Sequence, residues 1–443
     1  MPPQPTHTEF PPNTPVARFT RPLAQFLAVE SAGGVVLLIC AVVALAVANS
    51  PFGPAYEHFW HTPVLLDIGG FRLGGELGHF VVNDVLMTIF FFVVGLEIKR
   101  EVVSGELRDA RKAALPVAAA VGGMVVPAGI YLAFQGGTPA ARGWGVPMAT
   151  DIAFVVGVMA LLGRRVPFGL KITILSLAIA DDIGAVVVIA AFYSGGLAWG
   201  HLGLAALGFA LIYGLNRAGV RAVPVYFVVG AGIWLAVYKS GVHPTVAGVL
   251  LGLLTPASAW VGDKTLVEVL QDALARAPGD GDERFDTLRA VGYAAREGVS
   301  PLARLEHALH PWVGFVIMPV FALANAGVAV RLAAMADPVA VAVAAGLFLG
   351  KPVGIVLFGW LAVRAGLANL PTGVNWKLMA GGGALGGIGF TMSLFVANLA
   401  FDDDSHLVAA KVGILVGSTA SALLGAALLI AAERAGQRPS PLK

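Results

Sequence analysis

Charge is scarce in this 443-residue chain: Asp, Glu, Lys and Arg together make up only 13% of it. A soluble domain carries roughly 25%, so a water-soluble globular protein is excluded. Cysteine is nearly absent. The single Cys40, set between Ile39 and Val42, rules out a disulfide framework. The few basic residues follow loops instead of gathering into an aromatic-laced patch, which argues against nucleic-acid binding. Neither HExxH nor GxSxG occurs, so metalloprotease and serine-hydrolase chemistry lack their signatures. No enzyme activity and no cofactor are expected.

Apolar residues are abundant instead, at 57% of the chain with a mean hydropathy of +0.80. About twelve segments read as membrane spans, near 28–49, 81–98, 113–134, 145–163, 170–193, 201–215, 222–238, 241–255, 309–328, 338–361, 377–400 and 407–432. The fold class is therefore an all-α integral membrane protein. With the N-terminus in the cytoplasm, most of the 29 Lys and Arg residues fall on the cytoplasmic side. Only Arg72, Arg142, Lys239 and Arg331 lie opposite, with Lys351 and Lys411 inside spans. The positive-inside rule then puts both termini in the cytoplasm. The first apolar segment is too long for a cleavable signal and reads as a retained span.

The organisation along the chain is a cytoplasmic segment 1–27, a membrane domain 28–432 and a cytoplasmic tail 433–443. Residues 51–80 form an external loop in which the alternation of VLLDIGGFRL suggests a small hairpin. Residues 256–308 form a cytoplasmic loop with two helices, around KTLVEVLQDALARA and FDTLRAVGYAARE. Two three-helix groups, 113–193 and 338–432, share a pattern: the middle helix of each is interrupted, at GWGVPMATD (143–151) and GGGALGGIGFTMS (381–393). The first group starts inside and the second outside, so the repeat is inverted. Interrupted helices in matching places of two inverted halves point to a transporter's binding site.

The most informative residues are Asp181 and Asp182, side by side in LKITILSLAIADDIGAVVVIAAFY. Lys171 marks the polar edge of that run, so the pair lies about 15 Å deep, near the midplane of a core about 30 Å thick. Carboxylates there cost several kcal/mol each, which marks a place where a cation or proton leaves water. Adjacent residues diverge by about 100° on a helix, so one aspartate can face a cavity while the other pairs with a neighbouring helix. Lys351, in FLGKPVGIVLF, reaches a similar depth; it serves either that coupling or a purely structural ion pair. Asp151 and Thr150 sit in the first interruption. Asp151 and Lys351 could balance the dipole ends of two half-helices, and Thr150 could add an oxygen ligand. Asp84 is either a helix N-cap or part of the ion's exit route. Glu97 and Glu101 end the same span inside. His243 lies near the outer face, and Glu306, His307 and His310 form a titratable cluster at an inner helix start.

These residues sit in longer strings: NDVLMTIFFFVVGLEIKRE, GWGVPMATDIAFVVGV, LAIADDIGAVVVIA, KSGVHPTVAG, RLEHALHPW, FALANAGV, GKPVG and GIGFTMSLFVANLAF. From about residue 28 to 432 the chain resembles the NhaA-type sodium/proton antiporters. The resemblance implies a twelve-helix protein of the bacterial inner membrane, commonly a homodimer in lipid, with two crossing interrupted helices. It implies electrogenic exchange of intracellular Na⁺ or Li⁺ for external protons, activated at alkaline pH. It makes Asp182 the principal cation and proton carrier, and Asp181 the neighbour that pairs with Lys351. Asp151 and Lys351 become the groups that balance the crossed helix ends, with Thr150 at the crossing. Asp84 is a functional aspartate of the second helix, and Glu97, Glu101, His243, Glu306 and His310 are positions of pH response and ion access. Two features depart from the family: the loop 256–308 is longer, and Ala180 replaces a larger aliphatic residue. The rival readings are a sodium-coupled solute symporter on a similar scaffold and a cation channel. An intramembrane aspartyl protease would need aspartates facing each other across helices instead of adjacent ones.

Overall fold

A computed structural model describes residues 30–436 except 70, 221–222, 277–280 and 330–331. The expected cytoplasmic segment 1–27 and residues 437–443 of the tail lie outside the described residues. Each of the twelve apolar segments holds a helix. Among the described residues, eight helices are long and apolar enough to cross a membrane on their own: Leu77–Ser104, Ala110–Gln135, Pro139–Leu162, Phe168–Phe192, Val223–Ser240, Pro301–Asn325, Pro338–Arg364 and Asp404–Arg434. The pair Trp376–Gly386 and Phe390–Ala400 forms a ninth, bent by 46°. The helix Glu30–Ala48 is followed by a short Gly53–Trp60 helix that turns away by 117°. Trp199–Arg217 falls short in hydropathy, and Thr245–Leu254, with 10 residues, reaches only about 15 Å. Large apolar side chains such as Leu161, Phe168, Val187 and Leu207 stay exposed on the outside, as a lipid-facing surface requires.

The hairpin forms where the alternation places it, from strands Pro63–Ile68 and Phe71–Glu76 paired antiparallel with Ile68 opposite Phe71. Its turn uses Gly69 at φ +59°, a left-handed conformation that side chains resist. Asp67 and Arg72 face each other and pair at 3.0 Å. The 256–308 loop contains helices Asp263–Arg276 and Gly281–Glu297. The next helix begins at Pro301, eight residues before the expected span, because Ser300 caps it by accepting from the Ala303 N–H.

Small residues set the helix packing, as expected where no water drives association. Gly122 on Ala110–Gln135 and Gly354 on Lys351–Arg364 meet backbone to backbone, so that a Cβ on either would strike the other's carbonyl oxygen. Gly248 and Gly252, a small-xxx-small pair, bring Thr245–Leu254 against Thr88, Phe92 and Gly95. Three helices also carry wide π-type turns, at Leu77–Leu86, Val313–Ile317 and Gly346–Gly350. The last two come just before Pro319 and Pro352. A proline lacks the N–H and its ring crowds the carbonyl four residues back, and a widened turn relieves both problems. Such turns mark functional places in helices, and one of them delivers Lys351.

Gly354→Val is expected to separate the Lys351 helix from its partner, at a cost of about 1–3 kcal/mol. Gly129→Val, where nothing lies within 4 Å, is the control. Thermal unfolding of the purified proteins should show a clear drop for the first and none for the second.

Candidate functional site

Two helix breaks meet inside the bundle. Residues 149–151 leave helical form between Pro139–Met148, a 3₁₀ stretch, and Ile152–Leu162. Residues 387–389 separate Trp376–Gly386 from Phe390–Ala400. The first break falls later than Gly143, Gly145 and Pro147 suggest. Those two glycines lie within the 3₁₀ stretch and make room for aromatic rings: Tyr131 and Phe401 crowd Gly143, and Tyr193 crowds Gly145.

Each break leaves backbone groups without intrahelical partners, in surroundings where water does not serve them. They serve each other. The Asp151 N–H donates to the Ile388 carbonyl at 2.7 Å, and the Thr150 hydroxyl donates to the Gly386 carbonyl at 3.0 Å. Gly389 permits this approach, since a Cβ there would lie 2.9 Å from the Ala149 carbonyl oxygen. The Asp151 carboxylate then closes two helix starts at once. Its Oδ1 accepts from the Phe154 N–H at 3.1 Å, and its Oδ2 accepts from the Thr391 N–H at 3.0 Å and from the Thr391 hydroxyl. One negative charge thus stands at two half-helix N-termini, where the dipoles favour it. The Gly389 and Phe390 N–H groups both donate to the Ser418 hydroxyl at 3.2 Å.

Lys351 supplies the opposite charge. Its fully buried ammonium donates to Asp181 Oδ2 at 2.6 Å and to the carbonyl of Met148. Met148 is the last residue of the first half-helix, so the cation sits at a negative dipole end. The two aspartates differ sharply. Asp181 is tied to Lys351 by one oxygen while its Oδ1 is buried without a partner. Asp182 is 3% exposed and has no hydrogen-bond or ion-pair partner among the described residues. Among those residues no group of three or more His, Cys, Asp or Glu side chains could hold a metal ion. A cation at Asp182 would complete its shell with Asp181, hydroxyl, carbonyl or water oxygens.

The remaining candidates lie at the two ends of the Leu77–Ser104 helix. Asp84 is not an N-cap, because the helix starts seven residues earlier and runs through it as a π turn. Its buried carboxylate stands between two imidazoles, His79 Nδ1 at 3.5 Å and His243 Nε2 at 3.5 Å. At the other end Glu97 lies 3.8 Å from His310, and Arg100 pairs with Glu306. These contacts join the helix to Pro301–Trp312. Glu101 instead accepts from the Glu106 N–H in its own following turn, away from the pair. Sequence reading missed Thr391, Ser418 and an amide triad. Asn83 and Asn325 exchange hydrogen bonds at 3.0 and 3.4 Å, and Asn398 donates to Asn325 at 2.8 Å. The available signal was an asparagine in each of three apolar runs.

Such a bundle, with ionisable groups buried where two broken helices meet, is the construction of a multi-pass membrane transport protein. The family model described as Na⁺/H⁺ antiporter 1 matches residues 24–429. The chain is 50% identical to Na(+)/H(+) antiporter NhaA 3 of Acidiphilium cryptum (strain JF-5), over 97% of this chain and 94% of that relative. It is 49% identical to Na(+)/H(+) antiporter NhaA of Rhodopirellula baltica, over 95% and 96%. It is also 49% identical to Na(+)/H(+) antiporter NhaA of Rhizobium meliloti, over 94% and 95%. The chain belongs to the Na⁺/H⁺ antiporter 1 family. Among solved structures, the sodium proton antiporter MjNhaP1 from Methanocaldococcus jannaschii covers 95% of this chain and 98% of its own at 14% identity and a TM-score of 0.45, too remote to add to the argument.

Removing one member of the Lys351–Asp181 pair leaves the other charge buried and uncompensated, at about 3–5 kcal/mol. Lys351→Met is therefore expected to lower the melting temperature strongly. Lys351→Met with Asp181→Asn should recover part of the loss. Strict additivity in this double-mutant cycle would show that the two side chains do not act as a pair.

Proposed function

We propose that the protein exchanges Na⁺ or Li⁺ for protons, and that the exchange is a competition for Asp182. The observation that carries this reading is the asymmetry of the aspartate pair, with Asp181 held by Lys351 and Asp182 left unpartnered. A bare carboxylate at that depth is expensive, and either a proton or a cation relieves the expense. The site therefore passes through the occluded state loaded with one or the other, which couples the two flows. Carboxylate oxygens suit a hard cation, and the unpartnered Oδ1 of Asp181 offers it a second ligand.

As Na⁺ draws on Asp181, the hold of that carboxylate on the Lys351 proton weakens. One proton then leaves Asp182 and another leaves Lys351 for each Na⁺ bound, although coupled groups share their titration steps. Two protons for one Na⁺ make the cycle electrogenic, so an inside-negative potential drives Na⁺ outward. Na⁺ can bind only after Asp182 loses its proton, so activity rises toward alkaline pH. The broken helices, linked through Asp151 and Thr391, are the element whose rocking changes the access of the site. The charge distribution favours a bacterial inner membrane with both termini in the cytoplasm. The Glu97–His310 and Arg100–Glu306 contacts then lie at the inner mouth, where protonation would alter how the two helices hold together.

The test is purified protein in proton-loaded liposomes, with internal pH followed as Na⁺, Li⁺ or K⁺ is added outside. Alkalinisation by Na⁺ and Li⁺ but not K⁺, abolished in folded Asp182→Asn protein, is the expected result. Na⁺ uptake that moves no protons would contradict the proposal and favour solute symport.

A further inference from the structure

The inner end of the Leu77–Ser104 helix and the aspartate pair have their tasks in the exchange cycle, whereas His79 has none. Its side chain is 66% exposed, yet its Nδ1 lies 3.5 Å from Oδ2 of Asp84, which is 3% exposed. It therefore joins open water to a buried carboxylate. A small rotation of the exposed ring closes that gap to hydrogen-bond length. The other oxygen of Asp84 faces Nε2 of His243 at 3.5 Å, and Nδ1 of His243 is in turn 2.7 Å from the Thr245 hydroxyl. This second histidine is only 10% exposed, and its ring stands edge-on to Phe395 at 5.3 Å, on the outer half of the second broken helix.

The segment that carries both His79 and Asp84 is the π-type turn Leu77–Leu86. Its neighbour Asn83 is bonded to Asn325, which accepts from Asn398 on the same half-helix as Phe395. Asp84 is thus linked to the broken helix twice, through His243 and through the amides. The charged and titratable groups around His79 are few. Asp84 and Glu76 act on it electrostatically, and Glu76 is engaged by His61 at 2.7 Å. Around Asp84 stand His79, His243 and, through its field, Tyr238. Lys239 is turned to the Arg72 carbonyl at 3.3 Å.

We propose that His79 is the proton-collecting residue of the outer mouth. It takes a proton from water on its exposed ring and passes it from Nδ1 to Oδ2 of Asp84. The imidazolium returns to neutral imidazole as the carboxylate becomes a carboxylic acid, while His243 holds the other oxygen in place. Such a collector matters in alkaline surroundings. At an encounter limit of about 10¹⁰ M⁻¹ s⁻¹, free protons at pH 8 reach a single acceptor only about 100 times per second. A histidine titrates near neutrality and can also draw protons from buffer, which a buried aspartate cannot do alone. The inference rests on the exchange reading above.

The experiment measures ²²Na⁺ efflux from right-side-out membrane vesicles into Na⁺-free medium, with pH varied on the outer face and held constant inside. His79→Gln is expected to run about tenfold slower than wild type near pH 8 and to match it near pH 6, since bulk protons suffice there. Its apparent Na⁺ affinity at the inner face should be unchanged. Raising the concentration of impermeant phosphate buffer outside should restore the rate. A variant equal to wild type at every outer pH would overturn the proposal. So would one that is slow at every pH and indifferent to buffer, the behaviour of a purely structural residue. Absence of exchange by the wild type would overturn the exchange reading and the relay with it, whereas active wild type beside an unaffected variant sinks the relay alone.

Discussion

Irregular backbone within a membrane has to be satisfied by protein, and the meeting of residues 149–151 with 387–389 is where this chain meets that demand. Unpaired carbonyls and N–H groups there cost several kcal/mol each in hydrocarbon. The chain meets the cost with one acid and one base. Asp151 gathers the N–H groups of Phe154 and Thr391, and Lys351 covers the carbonyl of Met148. Because these groups are ionisable, they tie the two breaks to the ionisation state of the interior. The same lysine that closes a helix end also grips Asp181, so changing one contact disturbs the other. Ion chemistry and helix position are thereby made parts of a single structure.

That construction explains features that look unrelated along the chain. The π turn Gly346–Gly350 and Pro352 bring Lys351 to its partners, and the glycine contact between Gly122 and Gly354 holds its helix close. Ser418 supplies a hydroxyl from the last helix to the second break, which fixes that break against the Asp404–Gly436 helix. At the end of the bundle opposite Glu97, the amide triad and His243 carry contacts from Leu77–Leu86 to Phe390–Ala400.

Much of this was legible in the sequence, for physical reasons. A charge in an apolar run is conspicuous, so Asp181, Asp182, Lys351 and Asp151 announce themselves by depth alone. Apolar length marks the helices, and the alternation in VLLDIGGFRL marks the hairpin. What could not be read is which groups meet across long separations. Thr391 lies 240 residues from Asp151, and the Met148 carbonyl lies 203 residues from Lys351. Glycines mislead in a second way, because they serve close packing as readily as breaks. Gly143 and Gly145 make room for tyrosines, whereas Gly389 permits the crossing itself. In sequence Asp84 reads as a helix cap because a widened helical turn leaves no mark in composition, whereas the helix is already under way there.

The central claim is that Na⁺ and protons compete for the same buried carboxylate. Calorimetric titration of Na⁺ into the purified protein tests this most directly, using buffers with different heats of ionisation at one alkaline pH. The account predicts binding heats that vary with the buffer, because each Na⁺ displaces protons from the aspartate pair and its lysine. Na⁺ binding with the same heat in every buffer, and hence no proton released, would contradict it.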